Sequence, residues 1–168
     1  MPHTSARALA AALLLGLLAA CGEPSAAPEK TQPPAPTGPP EQYESTRGGF
    51  VLTLPAAFRG NYRVKESVDT VLGAKFAAEI VFPADAAGKV PPRTLLVIRV
   101  FTKAAWEKLS AQKGFSGAVK RAERGGDVFT LSMISSNPYN LATEASRTVE
   151  RMMLAATAGG LHVDITPR

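Results

Sequence analysis

The only cysteine of the chain is the residue whose type and position point most directly to chemistry, because a thiol near an export signal can be acylated. Cys21 follows the apolar run Ala8 to Ala20, and Arg7 is the only charged residue before that run. A positive charge, a short apolar stretch and small residues form the three-part layout of a secretory signal. The stretch is shorter than the roughly 20 residues of a membrane-spanning helix. We therefore predict that residues 1–20 are a signal peptide.

The residues Leu18-Ala19-Ala20-Cys21 resemble the lipobox of bacterial lipoproteins. The resemblance implies that a peptidase cuts before Cys21 and that the new N-terminal cysteine carries acyl chains such as palmitate. Stable anchoring requires two such signals, which two or three acyl chains on one cysteine supply. Gly22 replaces the aspartate that tends to retain these proteins at the inner membrane. The resemblance therefore implies a lipid anchor in the cell envelope, at the outer membrane facing the periplasm in a Gram-negative cell.

Three other interpretations of this segment stay open. It is compatible with an ordinary signal peptide that leaves Cys21 as a free thiol, with a short membrane-embedded anchor, and with a buried N-terminal helix of a cytosolic protein. A lone cysteine in an exported chain would be an exposed reactive thiol. We favour lipidation because acylation removes that reactivity and uses the residue.

Composition divides the rest of the chain at residue 50. Residues 21–49 are predicted to be the lipidated cysteine and a disordered linker, since residues 22–49 hold seven prolines and no valine or isoleucine. A Pro-rich linker of this length is semi-extended and reaches roughly 80 Å. Residues 50–168 have the size of one domain. No disulfide can form within them, because Cys21 is the only cysteine.

The periodicity of apolar residues predicts an α+β fold with an antiparallel sheet and helices packed across it. The alternation of Leu161, Val163 and Ile165 predicts a last strand, and Gly125-Gly126 marks a hairpin. The segment Thr94 to Phe101 is apolar on both faces, which is typical of a central strand. The other predicted elements are strands at Phe50–Pro55, Asn61–Lys65, Val68–Gly73 and Lys75–Phe82 and helices at Lys103–Lys113 and Leu141–Ala158.

The run Phe50-Val51-Leu52-Thr53-Leu54-Pro55, followed by Phe58, resembles the opening of PsbP-like domains. The later order is also similar: a strand with Val100-Phe101, a helix with Trp106, a hairpin, a turn with Pro138-Tyr139 and a closing helix. The resemblance implies an α/β/α sandwich and an accessory or interaction module rather than an enzyme. It assigns no binding residue.

Residues 50–168 carry 16 Lys and Arg against 10 Asp and Glu, a net charge of +6. This charge favours an anionic lipid, glycan or protein face as a partner, although it is also ordinary for solubility. Export argues against nucleic acid. Lys120, Arg121 and Arg124 near the hairpin are the predicted anion-binding patch, with gatekeeping charges on a solvated hairpin as the alternative.

Catalytic and metal-binding patterns are weak in this sequence. His162 and Asp164 are too few ligands for a structural metal site. A triad drawn from His162, a serine and an aspartate lacks the Gly-x-Ser-x-Gly elbow; the candidates are Ser132, Ser135, Ser136, Asp127 and Asp164. We therefore predict no catalytic residue, no metal and no cofactor.

The function predicted from the sequence is a non-enzymatic binding or accessory module on a lipid anchor, with an envelope protein as its partner. The alternative is a binder of an anionic small molecule, lipid or glycan, which the charge of the domain favours. A hydrolase with an unrecognised site ranks last. Oligomeric state and the identity of the partner do not follow from the sequence.

Overall fold

The computed structural model describes residues 38–85, 87–113, 115, 117–140 and 142–164, and it shows a mixed α+β fold with antiparallel sheets. Eight strands and two α-helices follow one another along these residues. A 3₁₀ turn follows β2 and a π turn follows α2. The elements in chain order are β1 Glu41–Ser45, β2 Phe50–Leu54, β3 Arg63–Asp69, β4 Ala74–Phe82, β5 Arg93–Thr102, α1 Lys103–Ser110, β6 Val119–Arg124, β7 Asp127–Met133, α2 Glu144–Ala155 and β8 His162–Asp164.

The strands form two sheets, and the predicted central strand is confirmed. The larger sheet has the order β3-β4-β5-β7-β6, so β5 lies in its middle. The smaller sheet has the order β1-β2-β8. The predicted hairpin is also confirmed, because β6 and β7 pair antiparallel with Arg124 opposite Asp127. The last strand pairs with β2, with Val163 opposite Leu52. Ile165 of the predicted strand lies outside the described residues.

The main core lies between one face of the larger sheet and a layer formed by the smaller sheet and α2. Alternate residues of β5 point into it, and Leu96, Ile98 and Val100 are buried. Phe50 from β2 and Met152 from α2 are in the same buried cluster. Because apolar residues repeat every second position in these strands and at helical spacing in α2, each element buries one face.

The opposite face of β5 is covered over part of its length. Phe101 is buried beneath α1, where its ring centroid lies 5.8 Å from that of Trp106. Val97 and Arg99 on the same face are half-buried. The expectation that both faces of the central strand are covered therefore holds at the α1 end only, because α1 is eight residues long and ends at Ser110 rather than at Lys113.

The predicted boundary between linker and domain at residue 50 is wrong. Residues 41–45, assigned to the disordered linker, form β1 and pair with β2 over their whole length, with Tyr43 opposite Leu52. The strand has no β-branched apolar residue, and its fully buried side chain is polar. Ser45 is accommodated there because its hydroxyl donates to Glu66 Oε1 at 2.8 Å and accepts from the Gly48 N–H at 3.0 Å.

The second helix is shorter than predicted because capping groups decide its ends. It begins at Glu144, where the Thr143 hydroxyl accepts from the Ser146 N–H at 3.1 Å, and not at Leu141. It ends at Ala155, and a π turn continues to Gly160. Gly159 has a φ of 90°, a backbone conformation that glycine adopts without strain, and it turns the chain out of the π turn, so the predicted end of the helix at Ala158 is three residues too late.

The ion pair between Asp69 and Arg99 gives a testable prediction about stability. Asp69 Oδ2 accepts from Arg99 Nε at 2.6 Å, and the two side chains are 16% and 18% exposed. Burial raises the pKa of Asp69, but hydrogen bonds from Arg99 and from the Leu72 N–H outweigh burial and hold this pKa below its usual value. We expect Asp69→Asn to lower the free energy of unfolding by roughly 2–3 kcal/mol at neutral pH, because a half-buried charge loses its partner.

The pH dependence of this loss follows from the lowered pKa. Asp69 stabilises the folded state above its unfolded pKa of about 3.9, and the contribution disappears as pH falls through the lower folded pKa. Denaturant unfolding of wild type and Asp69→Asn should therefore converge below about pH 4. Glu107→Gln, a carboxylate change on the exposed side of α1, is the control. A difference between wild type and Asp69→Asn that stays constant into acid would contradict this assignment.

Candidate functional site

A cleft with a volume of about 180 Å³ lies at one end of the sheets, and we call it the basic cleft. Three segments that are distant in sequence meet there: the β1–β2 turn, the first residues of β4 and the tip of the β6–β7 hairpin. Its charged side chains are Arg47, Lys75, Arg124 and Asp127. Phe76, Val100 and Phe129 form its apolar part, together with backbone from Gly48, Gly49 and Gly125.

The β1–β2 turn places Arg47 at the cleft. The Gly49 N–H donates to the Ser45 carbonyl at 2.7 Å, which closes the turn. A side chain at Gly48 would place its Cβ atom 2.4 Å from a ring carbon of Phe50 and 2.7 Å from one of Phe76. The backbone can therefore lie against these two rings only because position 48 is glycine. The Arg47 guanidinium consequently sits over the Phe76 ring, 5.8 Å from its centroid, in a cation–π contact.

The β6–β7 turn holds the opposite side of the cleft. Gly125 and Gly126 have φ values of 57° and 82°, the two positive values of a tight type I′ hairpin turn. The Gly126 carbonyl accepts from the Lys103 N–H at 2.8 Å, which ties the turn to the first residue of α1. Arg124 and Asp127 are thus carried on a turn that is fixed both locally and by the helix.

The lining of the basic cleft is electropositive. Lys75 Nζ lies 2.6 Å from Asp127 Oδ2, so one carboxylate offsets one of the three cations. The formal charges of the lining residues sum to +2, and Glu66 outside the lining interacts with the charge of Arg47. Arginine and lysine groups around a cleft with an aromatic floor can hold a phosphate or carboxylate through charge-assisted hydrogen bonds, and the apolar floor strengthens these bonds by excluding water.

A carboxylate behind the β1–β2 turn stays ionised and helps to fix it. The Tyr43 hydroxyl donates a short hydrogen bond to Glu66, and this bond, the bond from Ser45 and the charge of Arg47 outweigh burial and lower the pKa of Glu66. Burial and the contact with Glu66 raise the pKa of Tyr43 to about 12. The tyrosine is therefore a neutral donor and Glu66 an anion over the physiological range.

The three basic residues of the predicted patch have three different surroundings. Lys120 donates to Glu123 at 2.5 Å, and Lys103 lies 3.3 Å from the same carboxylate. Arg121 lines a second cavity farther along the same face of the hairpin, beside Leu131 and Met133, and Arg124 lines the basic cleft beside Phe129. The structure does not bring these three side chains into one patch. Lys120 pairs with Thr130, whose side chain is on the other face of the strand from the residues that line the two cavities. A bulge between Lys120 and Ala122 leaves Arg121 and Arg124 on one face but beside different cavities along the hairpin. Anion binding by Arg124 and by Arg121 stays a prediction at two separate places.

Sequence reasoning missed Arg47 and Lys75 as members of the cleft. Arg47 lies in the segment assigned to the linker, and Lys75 is the second residue of β4, where it is exposed beside buried apolar residues. Arg47 was detectable in principle, because Arg47-Gly48-Gly49 directly before the strand Phe50–Leu54 is typical of a tight turn. Nothing local marks Lys75, since its contact with Asp127 joins residues that are 52 positions apart.

The residues of the weak catalytic and lipidation patterns are placed as follows. Cys21 lies outside the described residues, as does the side chain of Asp164. His162 lines the second cavity, whereas Ser132 lies 3.4 Å from Arg99 Nη1 and Asp127 is bound to Lys75. Ser135 and Ser136 are exposed. The described members of the drawn triad therefore have separate surroundings and do not form one site.

In the part of the chain that the structure describes, no three histidine, cysteine, aspartate or glutamate residues are grouped so as to hold a metal ion. Within the same residues no helix is both long and apolar enough to span a bilayer. No protein-family model, curated protein or solved structure matches this chain.

Proposed function

We propose that this protein is a lipid-anchored binding module of the bacterial cell envelope, without enzymatic activity, that binds an anionic group in the basic cleft. The observation that carries the proposal is the convergence of Arg47, Lys75 and Arg124 on one cleft, where Asp127 is the carboxylate among the described lining residues. Because the three come from separate segments, the concentration of charge is a property of the folded domain and not of one basic run.

The size of the basic cleft indicates how large a ligand group it can bind. Pockets that enclose a whole drug-sized ligand have volumes of about 300–1,000 Å³, and the basic cleft has about 180 Å³. It therefore accommodates one phosphate or carboxylate group, and the rest of the ligand stays outside. The planar guanidinium groups of Arg47 and Arg124 suit such oxyanions because they donate two parallel hydrogen bonds. Phospholipid headgroups and acidic sugars of the envelope both present groups of this kind.

The N-terminal segment supports a location near such ligands. The signal-like residues 1–20 and the lipobox-like Leu18 to Cys21 imply export and acylation, and Gly22 favours the outer membrane. A Pro-rich segment after Cys21 gives the domain reach from the membrane surface. The net charge of +6 on residues 50–168 would add a general attraction to an anionic surface, which raises the encounter rate and falls with salt.

We further propose that the domain is a PsbP-like sandwich. Support comes from the order of its layers, since α1 packs on one face of the larger sheet and α2 on the other. The resembling run Phe50 to Leu54 forms β2, and Phe58 closes a 3₁₀ turn and is buried. In such a module, recognition of an anionic group is compatible with an accessory role beside an envelope protein, which would present a phosphorylated or acidic surface.

Replacing the two arginines of the cleft tests the proposal. The full acylated chain is titrated with glycerol 3-phosphate, which represents a phospholipid headgroup, and with glucuronate, which represents an acidic sugar. We expect Arg47→Gln and Arg124→Gln each to weaken the binding of the preferred probe by about tenfold, since each removes a charge-assisted hydrogen bond. Binding should also weaken as salt is added.

A matched control distinguishes binding in the basic cleft from a general effect of the positive charge of the domain. Arg63→Gln removes the same charge from an exposed position next to Val81, at the end of β4 away from Lys75. We expect this variant to bind both probes as wild type does. The proposal is wrong if all three variants behave alike or if neither probe binds. The probe that binds more tightly distinguishes a lipid from a glycan ligand.

A further inference from the structure

The second cavity lies between the β6–β7 hairpin and the chain that follows α2, and it differs from the basic cleft in size and chemistry. Its volume is about 570 Å³, within the range of sites that enclose an organic ligand. Val119, Leu131, Met133 and Leu161 give it an apolar wall. A cavity of this size with aliphatic side chains along one wall suits a hydrocarbon chain better than a sugar.

The charged and polar groups of the second cavity are Arg121, His162 and Thr157. The Thr157 hydroxyl donates to a helix carbonyl, with Met153 O and Leu154 O both at 3.0 Å. Among the described residues, no carboxylate forms an ion pair with Arg121 and none lines the cavity. The nearest acidic residue along β6, Glu123, is held by Lys103 and Lys120. An apolar wall and an exposed guanidinium in the same lining are complementary to a ligand with one acidic head.

Glycines after α2 fix the wall that carries Leu161 and His162. Gly159, with a φ of 90°, turns the chain out of the helix. A Cβ atom at Gly160 would lie 2.9 Å from the Ala155 carbonyl oxygen and 2.9 Å from Pro55 Cγ, so the backbone there packs closely against the 3₁₀ turn after β2. The next residues pair with β2 as β8, with His162 opposite Thr53. The wall is thus held by the sheet and is formed before any ligand binds.

We propose that the second cavity binds a long-chain carboxylate, an acidic amphiphile of the fatty-acid class. Its carboxylate is held by the Arg121 guanidinium beside His162, and its hydrocarbon chain lies along Val119, Leu131 and Leu161. Each additional CH₂ that the wall covers should raise the affinity about fourfold. This binding is independent of the basic cleft, because Arg121 and His162 are not part of that cleft.

Photolabelling tests this proposal because it identifies the peptides that contact the ligand, even when the protein is bound to a membrane. The full acylated chain in phosphatidylcholine vesicles is exposed to a diazirine-bearing dodecanoate, and the labelled peptides are identified by mass spectrometry. We expect label on residues 129–133 and 157–162, and competition by unlabelled dodecanoate. The matching diazirine dodecanol, which partitions into the bilayer but carries no charge, should label these peptides about tenfold less.

Two variants and one control complete the test. Arg121→Gln changes an exposed side chain and should lower dodecanoate labelling to the level of the alcohol. Val119→Glu places a carboxylate on a residue that is 55% exposed and should have the same effect by repulsion. Arg63→Gln should change nothing. Equal labelling by acid and alcohol, labelling that Arg121→Gln leaves unchanged, or label confined to other peptides would each overturn the proposal.

Discussion

Phe50→Ala is expected to lower the free energy of unfolding by about 3–5 kcal/mol, because it leaves a cavity where the two sheets meet. Phe50 has no exposed surface. Its ring makes edge contacts with Tyr43 on the neighbouring strand and with Phe76 and Phe129 on the other sheet, at centroid distances of 6.2–6.4 Å. A loss of this size is a large part of the 5–15 kcal/mol that stabilises a typical domain. Denaturant unfolding measures it directly.

A matched substitution of an exposed aliphatic residue controls for the loss of apolar area alone. Val71 lies in the turn between β3 and β4 and is 90% exposed. Val71→Ala should change the free energy of unfolding by less than about 0.5 kcal/mol. If Phe50→Ala costs no more than this control, the description of Phe50 as the contact between the sheets is incorrect. Because Phe50 also supports the turn at Gly48, its loss should weaken anion binding in the basic cleft as well.

Cys21→Ala is expected to move the protein from the membrane fraction to the soluble fraction. Each buried CH₂ of an acyl chain contributes about 0.8 kcal/mol, so two or three chains account for stable attachment and their loss removes it. Fractionation of cells at normal salt, followed by quantification of the protein in each fraction, measures the effect. Gly22→Ala keeps the cysteine and is the control, which should stay with the membrane.

The state of Cys21 gives a second measurement of the same prediction. We expect the mature wild-type protein to begin at Cys21 and to carry acyl chains, which mass spectrometry of its N-terminal peptide detects as added mass. A Cys21→Ala protein that stays membrane-bound at normal salt would contradict the lipid anchor. So would a mature wild-type chain with an unmodified cysteine.

Most of the sheet could be predicted from the sequence because apolar periodicity reports which faces are buried. The alternation in Phe50–Leu54 and in β4, and the two-sided apolar character of β5, each come from the position of a strand in the core. Glycines with positive φ mark the hairpin at Gly125 for a local reason that the residue type reveals. Both signals, apolar alternation and glycine at a turn, lie within short stretches of the chain and can therefore be recognised in the sequence.

Strand β1 could not be predicted in this way because its stabilisation is not local. Its buried side chain, Ser45, is polar and is satisfied by Glu66 on another sheet. Its backbone hydrogen bonds go to β2, and prolines precede it. In the sequence alone, a serine at this position suggests a loop. Only the folded structure supplies the partner strand and the carboxylate that allow its hydroxyl to be buried. The predicted start of the second helix was wrong for a related reason. Apolar periodicity extends back to Leu141, whereas the cap hydrogen bond of Thr143 sets the start at Glu144.

The candidate site shows the same division between local and distant information. Arg124 was predicted from a basic run, but Lys120 is on the other face of the hairpin, and Arg121 lines a different cavity farther along the same face. Arg47 and Lys75 join Arg124 only because the two turns and the start of β4 lie at the same end of the two sheets. Charge that converges through tertiary structure has no sequence motif, and for this reason composition indicated an anionic ligand without indicating where it binds.

The central claim is that the basic cleft binds an anionic group, and mapping of the bound ligand tests it most directly. Glycerol 3-phosphate is titrated into the ¹⁵N-labelled full chain while backbone amide NMR signals are followed. We expect saturable shifts at Gly48, Gly49 and Gly125, the glycines that line the cleft, and none at Lys65 or Lys108, which are exposed elsewhere. Shifts that spread over all basic residues without saturating, or no shifts at the three glycines, would contradict the claim.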